Sequence, residues 1–593
     1  MRRNKLSLPL AITFILIGIS HATDQYQVGF ERNVPVKMRD GVTLQADIYR
    51  PKADGRFPVL LQRTPYDKNN EFSFSLKAAS RGYVVIIQDV RGRYTSEGEW
   101  YPFKHESDDG FDTVEWAATL PYSNGKVGMV GGSYVGATQM LAAIAHPPHL
   151  AGICPVDTAS NYHDNWTYQG GAFEQWFNES WTSGLAEDTV SRGVPNNTSA
   201  TQGMSRLPLA SNPLFNFPDV RTADLTAVFS PYFLDWLAHP TYDDYWKRWS
   251  IQEHYPDINV PALTIAAWYD IFQGGSLRNY LGLKWHGGSE AARRGQHLIV
   301  TIGGHAGEGR KVGDVDFGPA AAQDTEDEID WYDYLFKGVQ NGFSQKPVKI
   351  FVMGLNQWRQ EDDWPLARAR STKYFLHSQG GANSIGGNGI LSTDAPHSEP
   401  SDHYVYDPSN PVPTIGGPLC CNATKFWPSH LEPGPRDQRP VEARSDVLVY
   451  STPAFSQNVE VTGMVSVELY AASSAVDTDF TAKLVDVGPD GFAQNLTEGI
   501  IRARYRDSQE KPDFLKPEHL YKFTIDLWST SNVFLKGHAL RLEISSSNFP
   551  RFDRNLNTAE QPESGEKFVT ATNIIYHDAH HPSALILPIV PSE

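Results

Sequence analysis

Cysteine is scarce in this sequence, with three in 593 residues: Cys154, Cys420 and Cys421. So few cannot form the disulfide framework on which small secreted folds depend. No grouping of His and Cys has zinc-ligand spacing, so no metal is expected. Basic residues are also short, 51 Lys+Arg against 69 Asp+Glu, for a net charge of −18. That balance argues against nucleic acid and anionic membranes as partners. Long apolar runs are missing beyond the N-terminus. There, Arg2, Arg3 and Lys5 precede "LPLAITFILIGI", and Ser20-His21-Ala22 follows. The run falls short of the roughly 20 residues that span a bilayer. Residues 1–22 therefore read as a secretory signal peptide, and a secreted or periplasmic protein is expected. Cleavage there would remove three positive charges and leave a net −21. Cys420 and Cys421 are adjacent in "TIGGPLCCNAT", which suits either a vicinal disulfide or two buried thiols.

What is present indicates a folded, loop-rich chain: 12% aromatic residues, 40 prolines and 48 glycines. The length calls for roughly three or four domains. From 23 to 154 short β-rich runs alternate with helical ones. "VTLQADIYRP", "FPVLLQRTPY", "YVVIIQDVRG" and "GKVGMVGG" read as strands, and "SFSLKAASRG", "GFDTVEWAATLPY" and "SYVGATQMLAAIAH" as helices. Such alternation predicts a parallel sheet covered on both faces. Residues 155–249 are rich in Trp, Tyr and Phe at helical spacings and read as a helical cap insertion. The sheet pattern returns over 250–345 in "VPALTIAAWYD" and "HLIVTIGGHAG". Over 346–593, beginning with "PVKIFVMG", short alternating strands predict a C-terminal jelly-roll β-sandwich. The Pro-, Gly-, Ser- and His-dense stretch from about 380 to 439 reads as one long connection. The fold class expected is α/β: an α/β-hydrolase sheet with an inserted cap and a sandwich.

The chemistry centres on "GKVGMVGGSYVGATQML". A nucleophile elbow places its serine in a strained turn between a strand and a helix, with small residues on either side. Here Ser133 follows "VGMVGG", but position plus two is Val135 and the expected second glycine comes a place late, at Gly136. A serine hydroxyl needs a base, and the base needs a carboxylate. In α/β-hydrolases both follow the serine, acid first, each just beyond a later strand. Asp270 ends "ALTIAAWYD" and His305 follows "HLIVTIGG", so the order is correct. The backbone N–H of Tyr134 and the hydroxyl of Tyr66, at the end of "LLQRTPY", are the candidate oxyanion donors. Trp166, Phe173, Trp176, Phe177 and Trp181 of the cap are candidate pocket walls.

These stretches resemble the cocaine-esterase and X-Pro dipeptidyl-peptidase family, whose relatives include glutaryl-cephalosporin acylases and α-amino acid ester hydrolases. "RTPYDK", "DVRGRYTSEGEW", "DGFDTVEW", "NGKVGMVGGSYVG", "WYDIFQGG" and "VEVTGMVSVELYAASSAVDTDFTAKLVDV" carry the resemblance, in order along nearly the whole mature chain. It implies that the displaced glycine is the family's own elbow, G-x-S-Y-x-G. It also implies Ser133 as nucleophile, Asp270 as acid, His305 as base, and Tyr66 with the Tyr134 amide as oxyanion hole. One local departure is "TIGGH" where relatives often carry G-P-W. Relatives acting on α-amino acyl groups place carboxylates two and three residues after the catalytic aspartate; here those positions are Phe272 and Gln273. Glu174, Glu179 or Asp235 of the cap would have to compensate.

The function expected is a secreted serine hydrolase that cleaves small-molecule esters or amides through an acyl-enzyme, with no cofactor. X-Pro dipeptidyl-peptidase or β-lactam side-chain acylase activity is the alternative, and a non-catalytic carbohydrate-binding protein is the rival class. The sequence leaves a homo-oligomer open.

Overall fold

The structure is a computed structural model that describes residues 26–193, 230–305, 309–322, 326–421, 431–560 and 567–591. The signal-peptide reading at 1–22 lies outside the described residues.

Ten strands form the first sheet: β1 (Val28–Lys37), β2 (Thr43–Pro51), β3 (Phe57–Thr64), β4 (Val84–Asp89), β5 (Ser123–Gly132), β6 (Leu150–Val156), β7 (Ala262–Tyr269), β8 (Gln296–Gly304), β9 (Val348–Val352) and β10 (Gln357–Glu361). Their order is β1-β2-β4-β3-β5-β6-β7-β8-β9-β10. From β4 to β9 every neighbouring pair is parallel, and antiparallel strands close both edges. Parallel strands need crossovers, and those helices cover both faces. All six residues of β4 and all eight of β7 are accordingly buried. The crossovers include α1 (Phe72–Ser80), α2 (Glu106–Thr119) and α3 (Tyr134–Ile144).

"PVKIFVMG", read from the sequence as the first sandwich strand, instead supplies β9 of this sheet, parallel to β8. Alternation alone cannot say which sheet a short strand joins. An amphipathic crossover helix, with Ile329, Trp331 and Tyr332 buried and Gly338 ending it at φ 71°, returns the chain beside β8. Proximity then decides the pairing.

Between β6 and β7 lie a two-residue hairpin (Tyr168–Gln169 with Ala172–Phe173), α4 (Gln175–Gly193) and α5 (Pro231–Ala238). Beyond β10 come β11 (Arg370–His377), β12 (Gly389–Ser392), β13 (Asp402–Tyr406), β14 (Leu448–Ser451), β15 (Val459–Ser473), β16 (Asp479–Val487), β17 (Ala493–Arg502), β18 (Tyr521–Phe534), β19 (Ala539–Ser545), β20 (Ala571–Tyr576) and β21 (Ala584–Val590). They form one eleven-stranded sheet, β13-β20-β15-β21-β11-β12-β14-β19-β16-β17, with β18 paired to β15. β12 and β13 fall inside the stretch that the sequence presented as a single connection.

The sandwich is keyed to the cap by buried polar contacts. Arg502 joins Asp479 and Asp553, and Asp553 accepts the backbone N–H of Phe173 over 2.9 Å. Arg551 joins Glu498 and Gln169 and lies 3.7 Å from Glu174. Such networks are costly to break, because one missing partner leaves a buried charge uncompensated.

Candidate active site

Ser133 sits between β5 and α3 with φ 60° and ψ −128°, a backbone conformation that side chains rarely occupy. Its N–H bonds the carbonyl of Val156 over 2.9 Å, which ties the turn to β6. Gly131 has φ 113°, and a Cβ there would lie 2.5 Å from Val135 Cγ1. A Cβ on Gly136 would meet Thr158 Cβ at 2.9 Å. The late glycine thus serves the packing of α3 on the loop after β6, while Val135 folds back over Gly131.

Asp270 and His305 are brought together from the ends of β7 and β8. The His305 Nδ1–H faces Asp270 Oδ2 at 2.5 Å, and the Phe272 N–H fixes the other carboxylate oxygen at 2.7 Å. Both side chains are almost wholly buried. The Ser133 hydroxyl lies 3.5 Å from the Tyr66 hydroxyl. Among the described residues no hydrogen bond joins Ser133 to His305.

Tyr66 is half-buried beside the elbow. Burial raises its phenol above the ordinary range, against the opposing pull of Ser133, Trp181 and the Tyr134 backbone. The phenol therefore stays protonated and able to donate at neutral pH. The Trp181 indole N–H donates to its oxygen over 2.9 Å. The Tyr134 side chain points elsewhere, donating to Glu106 over 2.9 Å and accepting the Phe103 N–H over 2.7 Å. What Tyr134 leaves next to Ser133 is its backbone N–H, at the start of α3.

The candidate pocket residues divide into two groups. Trp166 stacks on Phe272 at 4.5 Å, and Phe177 and Trp181 contact Trp166 at 5.4 Å each. Phe272 and the His305 ring meet in a T-shaped contact at 5.2 Å. These four rings run from the imidazole at one end to the Tyr66 hydroxyl at the other. Phe173 packs instead on Tyr168 and Phe233, and Trp176 on Leu419 and Leu431. Gln273 turns to the sandwich, donating to the Ser529 carbonyl and accepting its N–H over 3.2 Å. It anchors the turn after Asp270 rather than facing Ser133.

Three participants were not anticipated from the sequence. Asp157, directly after β6, is buried and places a carboxylate oxygen within 4.8 Å of both Asp270 and an imidazole nitrogen of His305. Its signal was its place at a strand end, the same signal that marked Asp270. Arg93 is fully buried, donating to the Pro65 carbonyl over 3.0 Å and the Leu185 carbonyl over 2.8 Å. It fastens the Tyr66 loop to α4. Cys420 and Cys421 form a disulfide whose sulfurs also lie within 4.8 Å of His305.

Residues 40–307 match the X-Pro dipeptidyl-peptidase (S15 family), and residues 341–586 match the X-Pro dipeptidyl-peptidase C-terminal non-catalytic domain. Over 576 residues the chain is 38% identical to the cocaine esterase of Rhodococcus sp. (strain MB1 Bresler), covering 94% of this chain and 98% of that protein. The chain belongs to the S15 family. This S15 member is a serine hydrolase acting on small-molecule esters or amides. Its fold is that of an α/β-hydrolase with a C-terminal β-sandwich. An aminopeptidase from the marine sediment archaeon Thaumarchaeota archaeon superposes with a TM-score of 0.81 at 25% identity, covering 98% of this chain and 99% of that one. An α-amino acid ester hydrolase superposes with a TM-score of 0.76 at 24% identity over 98% of each chain, a likeness of fold.

Proposed function

We propose that Ser133 is the nucleophile of this hydrolase, His305 its base, Asp270 the carboxylate that orients the imidazole, and Tyr66 with the Tyr134 N–H the oxyanion hole. The observation that carries this reading is the 2.5 Å Asp270–His305 contact at the ends of successive strands, beside a serine held at φ 60°. Substrate binding turns the Ser133 hydroxyl to His305 Nε2, since catalytic hydrogen bonds often close only with substrate present. Ser133 Oγ attacks the carbonyl, Nε2 takes its proton, and the acyl-enzyme forms as that proton passes to the leaving group. Water then repeats the sequence. Unlike the alternative of a non-catalytic binding protein, this assignment predicts that a fluorophosphonate labels Ser133 stoichiometrically.

The acyl group favoured is uncharged and apolar or aromatic. Trp166, Phe177, Trp181 and Phe272 offer an aromatic wall beside the imidazole. The cap acids do not replace the missing carboxylates. Glu174 lies 3.7 Å from Arg551, burial raises Glu179 to about 8, and Asp235 accepts the Tyr101 hydroxyl over 2.7 Å. One observation favours α-amino acyl substrates instead: Asp157 is a buried carboxylate beside His305. Comparing kcat/KM for p-nitrophenyl esters of aromatic acids with α-amino acid esters and X-Pro-p-nitroanilides decides between them. A preference for free-amine substrates that Asp157→Asn abolishes would overturn the uncharged-acyl reading.

A further inference from the structure

Cys420 is buried in the same cluster as Phe177, Trp181 and Phe272, with Cys421 half-buried against it. Their disulfide therefore forms part of the wall beside His305, and both sulfurs and an imidazole nitrogen lie within 4.8 Å of one another. Two sulfurs and one imidazole are the protein ligands of a Cys2His zinc site, whose fourth position is left to water. A disulfide sulfur is a poor ligand, because thiolate is the metal-binding form. His305 lies far from the two adjacent cysteines in sequence, so no ligand spacing announces the set.

We propose that reduction of the Cys420–Cys421 disulfide creates a binding site for one zinc-group cation, held by the two thiolates and His305, and that the bound cation switches the hydrolase off. A dithiol reductant supplies two electrons and two protons to the disulfide and leaves as a cyclic disulfide. The cation then displaces the two thiol protons to solvent and accepts the lone pair of His305 Nε2. Nδ1 already faces Asp270, and a carboxylate behind a metal-bound imidazole fixes its orientation and raises its basicity. Asp157 adds a second carboxylate within 4.8 Å of the imidazole, which favours a cation further. The same Asp270 contact that prepares His305 to take a proton thus prepares it to hold a metal. Loss of turnover on binding rests on the proposed role of His305 as base; binding itself does not.

The test uses the full chain, reduced with a phosphine or dithiothreitol, freed of reductant, and titrated with Cd2+ against the unreduced chain. The reduced chain is expected to take up one Cd2+ with a thiolate-to-metal absorption band, to lose p-nitrophenyl esterase activity in step, and to recover it with a chelator. The unreduced chain keeps its activity and shows no band. Cys420→Ser/Cys421→Ser, which retains Cys154 as an internal control, is expected to bind no Cd2+ with a thiolate-to-metal band after the same treatment. Should the double variant be unstable, Cys421→Ser alone serves. His305→Ala should weaken Cd2+ binding at least about ten-fold, the least that even an outer-shell partner contributes. An undiminished band in the cysteine variant, an undiminished Cd2+ affinity in His305→Ala, or no band in the reduced chain would overturn the site. A band with turnover unchanged would uphold the site and overturn the role of His305 as base.

Discussion

The indole N–H of Trp181 in the cap donates to the phenol oxygen of Tyr66 over 2.9 Å, with that oxygen 3.5 Å from Ser133 Oγ. The bond occupies one lone pair of the phenol and leaves its proton to face the serine. A cap residue is thereby coupled to the proposed oxyanion hole. Tyr66→Phe is expected to lower kcat by about 10²–10³, or roughly 3 kcal/mol in the acylation barrier. Trp181→Phe keeps a ring in the wall and loses the donor, at a cost of about 1 kcal/mol, roughly five-fold in kcat. Measuring both with p-nitrophenyl acetate, whose acyl group is too small to fill the pocket, separates orientation from substrate contact. A change confined to KM in Tyr66→Phe would make Tyr66 a binding residue.

Ser133→Ala should retain the fold, since the hydroxyl has one partner among the described residues, at 3.5 Å. Turnover should fall by about 10⁴ or more, the scale on which a lost nucleophile leaves residual catalysis. Steady-state ester hydrolysis by the purified variant checks this. Near-native rates would move the nucleophile elsewhere.

Gly131→Ala probes the elbow directly. The new methyl would lie 2.5 Å from Val135 Cγ1 on a residue at φ 113°. Left-handed strain alone costs about 1–3 kcal/mol, and the steric contact adds to it. A lower melting temperature and a sharply reduced kcat are expected together, because relief must displace Ser133. A companion Val135→Ala substitution removes the 2.5 Å contact, leaving the Cβ at 3.2 Å, and should recover part of both losses.

Glu179 gives a pH signature to stability. It is buried with Gln175 as its hydrogen-bond partner, and burial raises its carboxyl from 4.5 to about 8. The folded state therefore holds this proton where the unfolded chain has released it. The contribution is fully present below about pH 4.5 and is lost as pH rises through about 8. Glu179→Gln, neutral throughout, should flatten that fall, so that its melting temperature exceeds the parent's most at alkaline pH. Thermal unfolding at several pH values reads the difference, and parallel curves would exclude Glu179 as its source.

Much of the site could be read along the chain because each element announces itself locally. A strand, a run of small residues and a helix surround Ser133 within a short stretch, and strand ends mark Asp270 and His305. The place of Tyr66 at the end of an early strand was legible for the same reason, and its hydroxyl lies 3.5 Å from that of Ser133. Less legible were residues whose role depends on which neighbour they meet. The aromatic residues of the cap share one spacing, yet Trp166, Phe177 and Trp181 join Phe272 while Phe173 and Trp176 pack elsewhere. Gln273 looked like a pocket position by count from Asp270, but the sandwich supplies Ser529 to take both ends of its amide.

Sequence by itself determined the class of fold, the chain order and strand-end placement of Ser133, Asp270 and His305, for which the triad roles are proposed, and a cysteine count too low for a disulfide framework. These follow from periodicity and local turn chemistry, which act between residues close along the chain. Tertiary structure alone decided that β9 joins the first sheet, that Asp157 and the Cys420–Cys421 disulfide lie beside His305, and that Trp181 orients Tyr66. Those relationships are set by the packing of the sheet, cap and sandwich, which brings distant residues within a few ångströms and leaves no spacing signal in the chain.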